Sequence, residues 1–314
     1  EPYDVMVAET GRANVYLPFR AMKGRIPLRV VLWNDRWGDG GLARTTSRFA
    51  FQRRLEDKWE KLMILDSDGV IPTSKELQAL GCKWGMPPSR SCWIALGSDV
   101  ETIRRLPKKS AREQLGLNDS QPVIGFMGNA LGNLPEFFPA LRGVIRRYPK
   151  TVILCVGVCS DRWKVKSSGM ASHFRFSGYL PPVEAGNWLA CADLFLVELI
   201  STGIHAVRDY YKTSGKISHY LAAGRPIVAP DFGEAGRLFR EEGFGLLTRD
   251  DLSDCEGRIC ELIENAELAE QLGAKARLAA EERFSWPILT DRFENFIQNL
   301  ASRKIPFKSQ GKLN

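Results

Sequence analysis

At 314 residues the chain is long enough for about two domains, each with a core of its own. Apolar residues at 44% and charged residues at 26% exclude a disordered chain, and the longest apolar run, about "TVILCVGV", is far short of the roughly 20 residues of a membrane-spanning helix. The net charge of +7 is uneven: residues 1–117 hold 20 Lys and Arg against 14 Asp and Glu. That basic first part is either ordinary solvated surface or a surface that attracts an anionic membrane or acceptor. Nucleic acid is disfavoured, because no binding motif or aromatic-basic signature accompanies the charge.

In chain order, the opening "EPYDVMVAE" has no Met and enters a strand at once, as expected of a chain missing its true N-terminus. Further strands are expected at "LRVVLW", "GVIPTS" and "CWIAL". A second series follows at "VIGFMG", "TVILCVG", "FRFSGY", "LFLVE", "PIVAP" and "GLLT". Helical patterns fall between them at 42–65, 135–147, 183–192, 214–223, 251–264 and 266–282. The basic stretch "IRRLPKKSAREQLGLNDSQP" separates the two series. Such alternation predicts an α/β chain of two Rossmann-like domains with parallel sheets, the first of them short of strands. The final stretch "FSWPILTDRFENFI" carries an apolar stripe that needs a partner.

Seven cysteines (Cys82, Cys92, Cys155, Cys159, Cys191, Cys255, Cys260) show no Cys-x-x-Cys spacing, and several sit in apolar runs. Free buried thiols in a reducing cytoplasm are expected, not disulfides or zinc. His173, His205 and His219 show no metal-ligand spacing, so no protein metal site is expected.

A parallel sheet binds ligands beyond the carboxyl ends of its strands. "FMGNALGN" offers Gly128 and Asn129, either for close ligand approach or simply for a turn. "FSGYLPP" places Gly178 and Tyr179, the latter either flanking a nucleobase or packing. "VELISTGIHAVRDYYKTSGK" is expected to be a long polar loop entering a helix of small residues, "GKISHYLAAG". Arg208, Lys212 and Lys216, with Ser214 and Gly215, would gather at that helix start and hold a diphosphate. A cation there is disfavoured by the helix dipole unless an anion is present. In the first part, "WNDRWGDGGL" offers Asp35, Trp37, Asp39 and Gly40 as contacts for an acceptor or sugar, or as a Gly-rich surface loop.

The chain resembles the group 1 glycosyltransferases (glycosyltransferase family 4), of GT-B fold. The resemblance rests on "LDSDGVIPTSKELQALG", "CWIALGSDVETIRRLPKKSAREQLGL", "VIGFMGN", "YPKTVILCVG", "FRFSGYLPPVEAGNWLACADLFL", "GKISHYLAAGRPIVAPDFGEAG" and "AELAEQLGAKARLAAEERFSW", in order. It implies a retaining transfer from a nucleotide-diphosphate sugar to a glycan, lipid or small molecule, without a cofactor or metal. It also implies an acceptor-side domain over 1–112, a donor domain over 113–284, a final helix over 285–314 packing back toward the first domain, and a deep cleft between the two. Two family glutamates would fall at His219 and near Tyr211, where neither is Glu, while Lys216 fits a variant of the pattern with a Lys three residues earlier. Gly128, Asn129, Gly178, Tyr179 and His219 are the expected nucleotide contacts, and no residue stands out as the catalytic acid or base. The departures leave a degenerate or truncated binding module without activity as an alternative; a second is a nucleotide-sugar epimerase of the same fold, against which the Ala-Ala-Gly-Arg-Pro segment and the "ERFSW" ending count. The expected location is cytoplasmic, with peripheral contact at the inner face of a membrane as a further option.

Overall fold

The computed structural model describes residues 3–45 and 48–304. Its first strands are β1 (Val5–Glu9), β2 (Leu28–Trp33) and β3 (Gly69–Pro72), alternating with α1 (Ala13–Ala21), α2 (Ala50–Asp66) and α3 (Lys75–Lys83). The three strands pair in parallel in the order β1-β2-β3. Alternation along β2 decides its two faces. Val31 and Trp33 pack with Tyr16, Phe19, Met63, Ile64 and Leu77 of the three helices, while Leu28 and Val30 face the opposite way.

The expected strand "CWIAL" is not formed. Cys92 N–H donates to Val70 O at 3.1 Å and Ile94 N–H to Pro72 O at 3.1 Å, so the segment runs beside β3. The reciprocal bond to Cys92 O would have to come from Pro72, which has no N–H, and the ladder stops at a single bridge.

The next elements are α4 (Lys108–Gln114), β4 (Val123–Met127), α5 (Phe138–Arg147), β5 (Val152–Val156), α6 (Trp163–Lys166), β6 (Phe174–Gly178), α7 (Pro182–Ala190) and β7 (Leu194–Leu196). They are followed by α8 (Ala206–Tyr211), α9 (Gly215–Ala223), β8 (Ile227–Pro230), α10 (Gly233–Glu242), β9 (Gly245–Thr248), α11 (Cys255–Glu264), α12 (Ala266–Arg283) and α13 (Trp286–Lys304). Strands β4 to β9 form one parallel sheet in the order β6-β5-β4-β7-β8-β9. Counted from β4, that is the 3-2-1-4-5-6 order of a doubly wound dinucleotide fold. Its inner strands β5, β4, β7 and β8 are short and almost wholly buried, as parallel strands covered on both faces must be, while the edge strands β6 and β9 are only partly buried.

The chain divides into two units. The first comprises residues 1–95, 207–213 and 287–314; the second comprises 96–206 and 214–286. Within the first unit, α13 sets Leu289 and Leu300 against Leu28, Val30, Ile71 and Ile94, so the sheet is covered on both faces. The basic stretch after residue 96 is counted with the second unit, where Arg112 is nearly fully buried. Its guanidinium donates to Cys191 O at 3.0 Å and to Asp193 Oδ2 at 2.8 Å, tying α4 to the start of β7.

Candidate functional site

In the sheet order of the second unit, the chain leaves β4 toward one side and β7 toward the other. The crevice beyond the carboxyl ends of these two strands is where such a sheet admits a ligand. The loop after β4 is built there from its own backbone. Asn129 O accepts from Ser160 N–H at 2.8 Å, and Leu131 N–H donates to Asp161 at 2.6 Å. Gly157, at φ +116°, lets the two loops close up: a Cβ there would lie 2.4 Å from Gly128 O. Gly128 is therefore occupied in joining two loops, and Asn129 stands exposed beside it.

Glu198 lies just beyond β7, after Val197, and is buried, with Asn133 Nδ2 donating to its carbonyl at 3.1 Å. Its carboxylate pairs with the Lys216 ammonium through Oε1, and the same ammonium lies 4.4 Å from the centroid of the Phe126 ring. Glu198 Oε2 is buried without a hydrogen-bond partner among the described residues. The anion that a cation at the start of α9 requires is thus supplied by the protein itself. Lys216 is correspondingly well covered, rather than standing uncovered at the helix start. Ser214 occupies the N-cap of α9, yet among the described residues its hydroxyl makes no capping bond to the first turn. Gly215 follows it, half-buried.

Two cations expected at the same helix start belong elsewhere. Arg208 lies in α8, a helix inside the stretch expected to be loop, and donates to the buried Asp209 at 2.8 Å. Lys212 precedes α9, and residues 207–213 are counted with the first unit. The constellation of Arg208, Lys212, Ser214, Gly215 and Lys216 is therefore divided between the two units at Thr213 and Ser214.

The remaining expected nucleotide contacts lie at other strand ends. Gly178 closes β6 at φ +74°, and Tyr179 after it is 81% exposed, so this ring does not pack. His219, one turn into α9, lies 2.9 Å from Ser98 Oγ, and burial holds its imidazole below the ordinary range. Tyr220 beside it is fully buried, stacked on Phe195 at 4.2 Å, with its hydroxyl accepting from Met127 N–H at 2.8 Å. This bond fixes the last residue of β4. Tyr220→Phe is expected to cost about 1–3 kcal/mol by stranding that N–H, read as a lower denaturation midpoint with unchanged slope.

In the first unit, the loop after β2 is organised by Glu60, which is fully buried. Its carboxylate accepts from Trp33 Nε1 at 2.8 Å and from Trp37 N–H at 3.1 Å, and it pairs with Arg36. The Arg36 guanidinium also reaches Asp57 at 2.6 Å and lies over Trp84. Gly40 packs against that guanidinium, and a Cβ at Gly41 would lie 1.8 Å from Arg36 O. Asp39 accepts from Arg53 at 2.7 Å, and Trp37 carries the Arg12 guanidinium over its ring. Asp35 is different: burial pushes its carboxyl up, against the pull of Lys212 and Arg208.

Glu198, Tyr220, Arg36 and Glu60 were not singled out from sequence. The available signal for Glu198 was an acidic residue closing an apolar strand, "LFLVE", just where a doubly wound sheet opens. Among the described residues, no group of three His, Cys, Asp or Glu could hold a metal ion.

Residues 121–265 match the family model of the glycosyl transferases group 1. This segment, just under half of the chain, is similar to the group 1 glycosyl transferases. The segment contains the strand-end loops and the start of α9 described above, from Gly128 to His219. Among curated proteins, the D-inositol 3-phosphate glycosyltransferase of Rhodococcus erythropolis is 29% identical over 245 residues, covering 74% of this chain and 54% of that protein. A GDP-mannose-dependent monoacylated alpha-(1-6)-phosphatidylinositol monomannoside mannosyltransferase of Corynebacterium glutamicum is 25% identical over 218 residues, 65% of this chain and 55% of that protein. The chain thus spans about half the length of the curated relatives it matches.

The fold is that of solved GT-B glycosyltransferases. Sucrose-phosphate synthase from Thermosynechococcus elongatus superposes with a TM-score of 0.75 at 16% identity, covering 96% of this chain and 74% of that one. Anabaena HepE in complex with UDP gives a TM-score of 0.74 at 18% identity, covering 96% and 79%.

Proposed function

We propose that this chain transfers a glycosyl group, with retention, from a nucleotide-diphosphate sugar to an acceptor hydroxyl, with the diphosphate held at the first turn of α9. The observation that carries this reading is Lys216 on the first turn of α9, inside the segment that matches the family and paired with Glu198, a carboxylate with which a bound diphosphate would compete for the ammonium. In the transfer, the bond from the anomeric carbon to the diphosphate oxygen breaks and its electron pair leaves with the diphosphate. A bond to the acceptor oxygen forms on the same face, and the acceptor proton passes to the departing phosphate. Lys216 and the N–H groups of α9 stabilise the charge that develops on the leaving group. Glu198 Oε2, without a hydrogen-bond partner among the described residues, is an acceptor for a hydroxyl of the bound ligand.

A nucleotide sugar is the expected donor, supported by neighbours of the same fold solved with UDP and UDP-glucose. The acceptor is a glycan, a lipid or a small molecule. All seven cysteines are free thiols, which supports a reducing, cytoplasmic setting. A binding module without transfer is the second reading. It is favoured by His219, which stands where the resemblance implies a glutamate and is engaged with Ser98.

UDP and GDP are expected to bind in the presence of a chelator, with an affinity that falls as salt rises from about 0.1 M toward 1 M, where the screening length shrinks from roughly 10 to 3 Å. Titration calorimetry on the intact chain measures this. Strict dependence on a divalent cation would refute the electrostatic mechanism. Turnover of a UDP- or GDP-sugar, followed by release of the nucleotide, separates a transferase from a binding module.

A further inference from the structure

In the second unit, the crossover from β5 to β6 carries only α6, of 4 residues, where α5 has 10 and α7 has 9. So short a helix leaves part of the edge strand β6 uncovered. Val165 reaches the core, but Phe176 is only partly buried and Trp163 is 66% exposed. Beside α6 and β6 lies a cavity of about 490 Å³ with Trp163, Val165, Phe174 and Phe176 in its wall. Arg162 and Lys166 line it too, and none of its lining residues is acidic. The Arg162 guanidinium is held in place, donating twice to Val158 O at 3.3 and 3.0 Å and lying 4.8 Å from the centroid of the Phe176 ring. Among the described residues neither cation has a carboxylate partner, and Asp161 beside them is taken by Lys164 at 2.8 Å and by Leu131 N–H at 2.6 Å.

The transfer reading uses none of these side chains. A cavity of this volume is in the range that admits small organic molecules, roughly 300–1,000 Å³. Its two halves specify different parts of an occupant. Three aromatic rings favour a flat aromatic body, which stacks or packs edge to face on them. Two cations without counterions favour an acidic group, and the guanidinium offers its remaining N–H groups to it. Because the bonds to Val158 O already fix the Arg162 side chain, little rotamer freedom is lost when an anion arrives. We infer that this cavity is a binding site for a small aromatic carboxylate, its ring against Trp163 and Phe176 and its carboxylate on Arg162 and Lys166. An aliphatic acid would satisfy the cations but forgo the rings. A folded protein partner fits less well, since a specific interface buries about 1,200–2,000 Å² and the feature here is a cavity of small-molecule size.

The test is titration calorimetry of the full chain with 1-naphthoate in the absence of nucleotide, where saturable binding at one site is expected. Two further probes separate the halves of the site: 1-naphthamide keeps the ring without the charge, and octanoate keeps the charge without the ring. Each should bind about tenfold more weakly or worse. Arg162→Gln and Lys166→Gln should each weaken naphthoate about tenfold, the lower end for a charge-assisted contact, and Trp163→Ala roughly fivefold. Lys166 and Trp163 are exposed, so the double variant Lys166→Gln, Trp163→Ala should keep the native circular dichroism and decides the matter even if Arg162→Gln fails to fold. No binding of naphthoate, equal binding of naphthamide or octanoate, or an unaffected double variant would each overturn the proposal. So would displacement of naphthoate by UDP, which would make the cavity part of the donor site. The first titration contains no nucleotide, so its failure is distinct from a failure of the transfer reading.

Discussion

Glu60→Ala is expected to destabilise the first unit by about 3–5 kcal/mol, the cost of breaking a buried ion pair from one side. The carboxylate is fully buried and serves the Arg36 guanidinium, the Trp33 indole N–H and the Trp37 backbone N–H. Its loss leaves Arg36 with Asp57 as its remaining carboxylate and strands donors beneath the loop that carries Asp35 and Trp37. At roughly 3 °C per kcal/mol for a unit of this size, the melting transition should fall by about 10 °C. Trp33 is buried and stacked on Trp84 at 5.3 Å, so tryptophan emission reports the change. Glu60→Gln keeps the shape and one acceptor but not the charge, and should fall between the two. A transition of Glu60→Ala within about 2 °C of the native one would show that the loop does not depend on this carboxylate.

The αβ unit at α9 and β8 was legible because every local signal agrees. Gly224 ends the helix at φ +65°, the left-handed cap that an Ala-Ala-Gly ending suggests, and Arg225-Pro226 leads straight into β8. The parallel alternation was legible for the same reason, and so were the apolar strands of the second unit. What escaped were pairings between residues far apart in the chain. Glu198 and Lys216 are separated by the loop and α8, and their meeting depends on β7 lying beside β4 and on α9 starting above that edge. Arg36 and Glu60 likewise meet only once α2 has packed on β2. Helix α8, "AVRDYY", escaped because its aromatic, β-branched and Asp residues have weak helical preference, so its form is set by tertiary context. The strand lost at "CWIAL" turned on one atom, the N–H that Pro72 lacks.

Lys216→Ala is expected to weaken nucleoside diphosphate binding about 10- to 150-fold, the worth of a charge-assisted contact of roughly 1.5–3 kcal/mol. The pairing with Glu198 changes how that loss must be interpreted. Removing the ammonium deletes a cation and also leaves a buried carboxylate facing the place proposed for the diphosphate, so the single variant confounds direct contact with repulsion. The double variant Glu198→Gln, Lys216→Ala separates the two. If Lys216 touches the diphosphate, the double variant keeps most of the deficit. If Lys216 serves only to neutralise Glu198, affinity returns to near the native value. Glu198→Gln alone removes the carboxylate that competes with phosphate for the ammonium, and should therefore strengthen diphosphate binding relative to binding of the uncharged nucleoside. Direct contact is the outcome expected from the position of Lys216 on the first turn of α9, where helix and side chain act on the same anion. Calorimetry on the four proteins at matched thermal stability decides it. An affinity of Lys216→Ala equal to the native one would remove the phosphate site from α9 altogether.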